Sequence, residues 1–355
     1  MTTQRPRLQR ATIKDVARAA NVSVSTVSNA LNGRTDAMAP ETLRRVQEAI
    51  TALNYRPSSA ARALVTKRVA TIGLILAEIE TPLFIQALHR VEPIARSAGY
   101  NVLLSIARSV EDEREALNLL LDKQVEGIIF LSNSGYVNDE HLQQLLRARL
   151  PVVLVNRANA HAGFDQINWD NTGGVVSAVD YLVRLGHQRI AFLHGPVKRR
   201  SSEERLSGYR LALTRHGIPY REHYVRSGDF TAPRDHWWQS SLELVRLPDR
   251  PTAIIAADDI VAATVMKTAQ SVGLRVPHDM SVIGIDDQPF CVDLNPALTT
   301  IRLPVTEAGG RAVEVLLGRI AGTRQTRDHI LLPCPLILRD SCGAPPVQQT
   351  LVEGA

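Results

Sequence analysis

Two groups of residues have types and spacings that could do chemistry, and they lie far apart in a 355-residue chain. Near the start, Val24, Ser25, Thr26, Ser28 and Asn29 make an uncharged face on a stretch with only Val27, Ala30 and Leu31 to bury. Asn, Ser and Thr at this spacing can reach base edges in a DNA major groove, and Val can meet a thymine methyl. An ordinary helical hairpin inside a larger core would show the same pattern. Further on, the paired acids Asp258-Asp259 and Asp286-Asp287 could bind a metal or exchange protons. No phosphate-cradling loop, dinucleotide fingerprint, H-E-x-x-H or G-x-S-x-G elbow accompanies them. Asp259 also falls where a helix should begin, and the helix dipole favours an acid there. The reading is therefore no catalysis, no metal and no cofactor.

The uncharged face needs a scaffold, and the flanking residues supply one. Ile13, Val16, Ala17 and Ala20 fall at i, i+3, i+4 and i+7, the apolar stripe of a first helix. Thr12 and Asp15 have capping-box spacing. Asn21 suits the turn because Asn tolerates the left-handed conformation, and Ser23 is a natural N-cap for the helix that follows. Pro40 opens a third helix whose stripe is Leu43, Val46, Ile50 and Leu53. Asn54-Tyr55-Arg56-Pro57 ends this bundle. Ser58 or Ser59 can then cap a short helix carrying Ala60, Ala61, Ala63 and Leu64, marginal in water unless something supports it; a plain linker is the other reading.

Charge separates this region from the rest. Residues 1–68 hold twelve Lys/Arg against four acids, a net +8, whereas the remainder is −3. A basic first fifth on a slightly acidic body suits a head that binds polyanionic DNA. The 45% hydrophobic and 22% charged content describes a globular chain of two or three domains. Cys291, Cys334 and Cys342 are few, odd in number and without C-x-x-C spacing, which argues against disulfides and zinc. No apolar run is long enough for a membrane span, and the polar, basic start lacks a signal peptide's apolar core, so a cytoplasmic location is expected.

From Thr71 the texture changes. TIGLILA is a continuous apolar run, the mark of a strand buried on both faces. Helical and apolar segments then alternate to about Asn168, and the alternation restarts through RIAFLH, AIIAA and SVIGID. This predicts two doubly wound parallel sheets side by side, with ligands bound outside the carboxyl ends of the strands.

The runs TIKDVARAANVSVSTVSNALNG, PETLRRVQEAITALNYRPSSAARAL, PTAIIAADDIVAA, GLRVPHDMSVIGIDD and PALTTIRLP, in that order over about Thr12 to Arg339, resemble the LacI/GalR family of bacterial transcriptional regulators. The resemblance implies an all-α helix-turn-helix headpiece and a periplasmic-binding-protein-like α/β core. It implies a homodimer on a pseudo-palindromic DNA operator, controlled by a small-molecule effector, with repression as the default outcome. It implies the domains 1–57 (headpiece), 58–68 (hinge), 69–168 with 301–328 (first core subdomain), 169–300 with 329–345 (second) and 346–355 (tail).

By the same resemblance Val24, Ser25 and Asn29 match base-reading positions. Thr26 and Ser28 match phosphate contacts, and Ser58 and Leu64 belong to the hinge, Leu64 as a minor-groove wedge. Val24 departs from the usual polar choice, so the operator cannot be copied from a relative. Leu83, Phe84, Asn156, Arg199, Ser201, Arg205, Phe230, Asp258 and Asp286 resemble the family's effector-site positions. For Arg205 and Asp286 the other reading is a structural salt bridge, and for Leu83 and Phe84 it is the core. Lys198, Arg199 and Arg200 suggest an anionic effector, or else a solvated loop. The rival function is a transport-type small-molecule binding protein with the same core, which leaves the basic head unexplained. The tail lacks leucine heptads, so a dimer is expected.

Overall fold

The computed structural model describes residues 11–31, 33–36, 38–55, 68–76, 82–131, 139–157, 163–197, 199–229 and 234–346. The chain forms two compact units, Met1–Val69 and Ala70–Ala355.

In the first unit, α1 (Ile13–Ala19), α2 (Val24–Leu31) and α3 (Pro40–Ala52) close over one small core. Thr12 and Asp15 form the full capping box: the Thr12 backbone N–H donates to Asp15 Oδ2 at 2.9 Å, and the Asp15 N–H donates to Thr12 Oγ1 at 3.4 Å. Asn21 takes φ +53, the left-handed geometry the turn requires. Val16, Ala17, Ala20, Val27, Val46 and Ala49 are buried, with Ile13, Leu31, Ile50 and Tyr55 packed around them. Only three of the six are larger than alanine and all three are valines, so the bundle has little apolar area with which to stabilise itself.

The second unit holds two six-stranded sheets. The first comprises β1 (Thr71–Leu76), β2 (Asn101–Ile106), β3 (Ile128–Leu131), β4 (Val152–Val155), β5 (Asp165–Trp169) and β11 (His329–Leu332), in the order β2-β1-β3-β4-β5-β11, all parallel. The second comprises β6 (Ile190–His194), β7 (Val225–Ser227), β8 (Ala253–Ile255), β9 (Ser281–Asp286), β10 (Thr299–Arg302) and β12 (Leu336–Ile337). Its order, β7-β6-β8-β9-β10-β12, repeats the first, with β12 antiparallel. The central strands β1, β3, β4, β6 and β8 are apolar and almost wholly buried, as strands covered on both faces must be.

Helices cover the faces. The first lobe has α4 (Pro82–Ser97), α5 (Val110–Asp122), α6 (Asp139–Ala148) and α11 (Val305–Ile320). The second has α7 (Asn171–Arg184), α8 (Arg200–Arg215), α9 (Arg234–Val245) and α10 (Asp259–Ser271). Gly309 lets α11 lie tight on α4: a Cβ there would sit 3.1 Å from the Ala87 carbonyl oxygen. Among the described residues no helix is long and apolar enough to cross a membrane.

The chain passes between the lobes three times: from β5 to α7, from β10 to α11 and from β11 to β12. This corrects the subdomain boundaries read from sequence. Residues 329–345 do not all belong to the second lobe, because His329–Leu332 pairs with β5 in the first sheet. Nor does the first lobe begin at 301: Ile301 and Arg302 pair with Ile285 and Asp286 in the second sheet. HILLPCPLI is one apolar segment in sequence, yet its two proline-separated halves serve different sheets.

Candidate functional site

The headpiece presents the uncharged face outward. Val24, Ser25 and Asn29 are exposed, Thr26 and Ser28 half-buried, and Val27 fully buried beneath them. Ser23 is the local organiser. Its hydroxyl accepts from the Thr26 backbone N–H at 3.1 Å and lies 2.6 Å from Ser25 Oγ and 2.8 Å from Thr26 Oγ1. Three hydroxyls are thus tied together at the helix start, where backbone N–H groups point outward and favour an anion. Val24 is 41% exposed, so its methyl groups are available at the surface of α2. Ser58 and Leu64 lie outside the described residues.

At the other end of the chain, polar residues converge where the second sheet's strands end. Arg205, on the inner face of α8 and 6% exposed, is fixed by two acceptors. Its Nη1 donates to the Ala257 carbonyl at 3.0 Å and its Nε to Asn171 Oδ1 at 3.2 Å. Asn171 donates in turn to Glu204 Oε2 at 2.9 Å, and Glu204 also holds Arg200 at 2.5 Å. Asp258 caps α10, accepting from the Val261 N–H at 2.7 Å. Asp259, fully buried, accepts from the Gln288 N–H at 2.7 Å and from the Thr300 hydroxyl at 2.5 Å. Gly284 makes room for it, since a Cβ there would collide with Asp259 Oδ1.

The electrostatics follow from this crowding. Burial, and then the charges of Asp259 and Asp258, push the Asp286 carboxyl well above the usual carboxylate range, with Arg205 acting against them. Burial is also what lifts Asp259, to about 6, against the hydrogen bonds from Gln288 and Thr300 that favour its charged form. Asp286 itself has φ +123 and its neighbour Asp287 φ +59, rare geometry for non-glycine residues.

Arg205, Asp258 and Asp286 are therefore brought together. Ser201 lies one turn before Arg205 on the same buried face, and Arg199 stands half-buried at the start of α8. Asn156 follows β4 with φ +52, its backbone N–H bonded to the Ile167 carbonyl at 2.8 Å. Leu83 and Phe84 are buried in the first lobe's apolar core, 4% and 2% exposed. Phe230 and Lys198 lie outside the described residues. Sequence reasoning missed Asn171, Gln288 and the burial of Asp259. The signal for the last was present in the acid pair Asp258-Asp259, which was read only as a helix start.

Two further features bear on assembly. Leu104 and Ile106 are exposed along β2, the open edge of the first sheet. A hollow of about 360 Å³ lies on the second lobe where Trp238 of α9 meets Met266 and Lys267 of α10 and Leu294.

Comparison with known proteins matches residues 12–58 to the family described as bacterial regulatory proteins, lacI family, and residues 179–342 to the periplasmic binding protein-like domain. The catabolite control protein A of Priestia megaterium is 35% identical over 326 residues, 91% of this chain and 96% of that protein. The HTH-type transcriptional repressor PurR of Photobacterium profundum is 32% identical over 93% of this chain and 98% of its own length. Among solved structures, the lac repressor dimer bound to operator and the anti-inducer ONPF superposes with TM-score 0.84 at 30% identity, over 95% of this chain and all of that one. A complex of the transcriptional regulator CelR with cellobiose gives TM-score 0.70 at 30% identity, over 94% of this chain and all of that one.

Proposed function

The chain belongs to the lacI family of bacterial regulatory proteins, and from that premise we propose that it is a sequence-specific, DNA-binding transcriptional repressor controlled by a small molecule. The observation that carries the reading is the pairing, in one chain, of an outward-facing uncharged helix face in a basic headpiece with a cluster of buried Arg205 and half-buried Asp258 and Asp286 at the strand ends of the second sheet. Val24, Ser25 and Asn29 read bases; Thr26 and Ser28 set the helix against the phosphates. Ser58 and Leu64 act in the hinge.

The effector lies against Arg205, Asp258, Asp286, Ser201, Arg199, Asn156 and Phe230, with Phe84 supporting the opposite lobe. Its chemistry follows from the charges. Arg200 is already neutralised by Glu204, and burial, together with the neighbouring carboxylates, raises the proton affinity of Asp259 and Asp286. Such a wall, rich in carboxyl groups, offers an anion little attraction and rewards a neutral molecule with several hydroxyls, a sugar or sugar derivative. The family relatives include a cellobiose-bound regulator, which agrees.

The working unit is a homodimer. The open β2 edge with Leu104 and Ile106 is an apolar surface that a second copy would cover, and the hollow beside Trp238, lined also by Lys267, Gln270 and Asn295, is a mixed one. Control then follows from linkage. Operator and effector each favour one arrangement of the lobes, so each changes the other's affinity by the same factor, about 5–150-fold for ~1–3 kcal/mol of coupling.

Isothermal titration with a panel of neutral sugars and their acid counterparts tests the ligand reading. Tight binding of a sugar acid with no binding of its neutral congener would overturn it. The DNA reading is tested by selection of an operator from a random pool, where enrichment of a palindromic sequence is expected.

A further inference from the structure

Asp287, at the end of β9, is a carboxylate that the ligand site does not use. Asp287 accepts from Arg302 Nε at 2.6 Å and from Arg339 Nη2 at 2.6 Å. Its own backbone N–H donates to Thr300 Oγ1 at 3.3 Å, and the Thr300 hydroxyl donates to Asp259 Oδ1. Thr300 and Arg302 are alternate residues of β10, so both address the same face of the sheet. Arg302 is the last residue of that strand. Three residues later α11 begins, already packed on α4 in the other lobe.

Backbone geometry gives the arrangement its direction. Asp286 and Asp287 are consecutive non-glycine residues with positive φ. Such conformations persist only where the surroundings hold them. The surroundings here are the two guanidiniums on Asp287, together with the Asp259 carboxylate that receives the Gln288 N–H on its far side. The side chain of Asp287 is 9% exposed and that of Arg339 16%, while Arg302 is 52% exposed and can follow a movement of the crossover.

We propose that Asp287 is a positioning residue. It fixes the orientation of Asp286 and ties it, through Arg302, to the β10–α11 crossover, so that contact of a ligand with Asp286 is felt in the first lobe. This rests on the assignment of Asp286 to the effector site. Neighbouring residues divide the work: Asp286 meets the ligand, and Asp287 carries the consequence across the lobes.

The test is hydrogen exchange by mass spectrometry on the full chain without ligand, comparing wild type with Asp287→Asn, Arg302→Gln, Arg302→Lys and the double variant Asp287→Asn/Arg302→Gln. Asn keeps the shape and tolerates the left-handed conformation, so the first variant removes charge alone. Three amides report the crossover: Arg302 N–H, bonded to Pro335 O; Val305 N–H, bonded to Leu303 O; and Ala308 N–H, bonded to Pro304 O. Exchange across 302–308 is expected to rise at least fivefold in Asp287→Asn and in Arg302→Gln, and no further in the double variant. It should return to within twofold of wild type in Arg302→Lys, which keeps the cation. Peptides from β6 and β8 should stay at the wild-type rate.

Faster exchange confined to 286–288, or additive effects of the two substitutions, would overturn the proposal. Arg302→Gln alters a half-exposed side chain and so decides the matter alone if Asp287→Asn does not fold. Operator titration separates the two readings. If the regulatory reading holds, Asp287→Asn shifts ligand-free operator affinity at least threefold with unchanged sequence preference. If wild type prefers no sequence, the regulatory reading fails, and the exchange pattern still decides the Asp287 link.

Discussion

The uncharged outer face of α2 and the carboxylate cluster at the end of β9 use polar side chains in opposite ways. On α2, Ser25, Thr26 and Asn29 stand at the surface, and the hydroxyls are ordered by a single neighbour, Ser23. Their partners are local, so almost nothing is at stake in the fold if one is changed. At the β9 end, Arg205, Asp259 and Asp287 are held by residues from several elements. Removing one takes a hydrogen-bond partner from groups on other elements. On the proposed reading the first region can change partner at little cost to the fold, whereas the second couples groups from several elements, so a change at one member is felt by the others.

The core's charged network should therefore break hard. Glu113 and Arg157 form a buried two-bond ion pair, 2.8 and 2.9 Å, with the guanidinium 5.3 Å from the Phe130 ring centroid. Glu113→Ala should cost about 3–5 kcal/mol of stability in urea unfolding, because the buried Arg157 guanidinium loses the carboxylate that balances its charge. Replacing both by apolar residues of similar volume should recover most of the loss. A single-variant loss under about 1 kcal/mol would show that water reaches the pair.

Arg205→Ala sharpens the contrast at the ligand. Truncating one member of a buried charged network costs about 2–5 kcal/mol, so effector affinity should fall by more than ~30-fold. Ligand-free operator affinity should stay within about threefold, as anisotropy titration would read. Asn29→Ala should do the reverse, losing about 1–3 kcal/mol of operator binding through a base contact, with effector affinity unchanged by calorimetry. An equal loss on operator and on random DNA would assign Asn29 to the backbone instead.

Smaller effects test the scaffolds. Thr12→Ala removes the capping box and should lower headpiece stability by about 1 kcal/mol in a thermal melt of the full chain, leaving the core transition in place. In the core, His187 bonds Thr252, Ser281 and Gly343, and burial lowers its pKa below 6.5. The folded state therefore binds the proton less readily than the unfolded chain. The contribution is fully present above about pH 6.5 and is lost as pH falls below it, with a slope of at most ~1.4 kcal/mol per unit. His187→Gln should remove that part of the acid-side slope.

The same contrast explains what could be read from sequence. The Thr12–Asp15 box, the left-handed Asn21, the Ser23 cap and the Pro40 helix start were legible because every partner lies within four residues. The buried strands β1, β3, β4 and β9 were legible as apolar runs. Arg205, Asp258 and Asp286 could be named as site residues only through the family resemblance. Their neighbours could not: Arg205 meets Asn171 across 34 positions and Asp287 meets Arg339 across 52, and no local pattern encodes such pairs. The strands β11 and β12 were missed for a further reason. They are short and lie at sheet edges, and Leu331 is 65% exposed, so they lack the buried alternation that marks a strand.

The central claim is that the two regions speak to each other. The direct measurement is a fluorescence-anisotropy titration of the full chain on an operator selected from a random pool, at fixed salt, with and without neutral sugars, sugar acids and nucleobases. The account predicts tight, sequence-selective binding, shifted about 5–150-fold by one neutral, hydroxyl-rich ligand and by none in Arg205→Ala. Binding that follows salt alone and ignores both sequence and every ligand would contradict it.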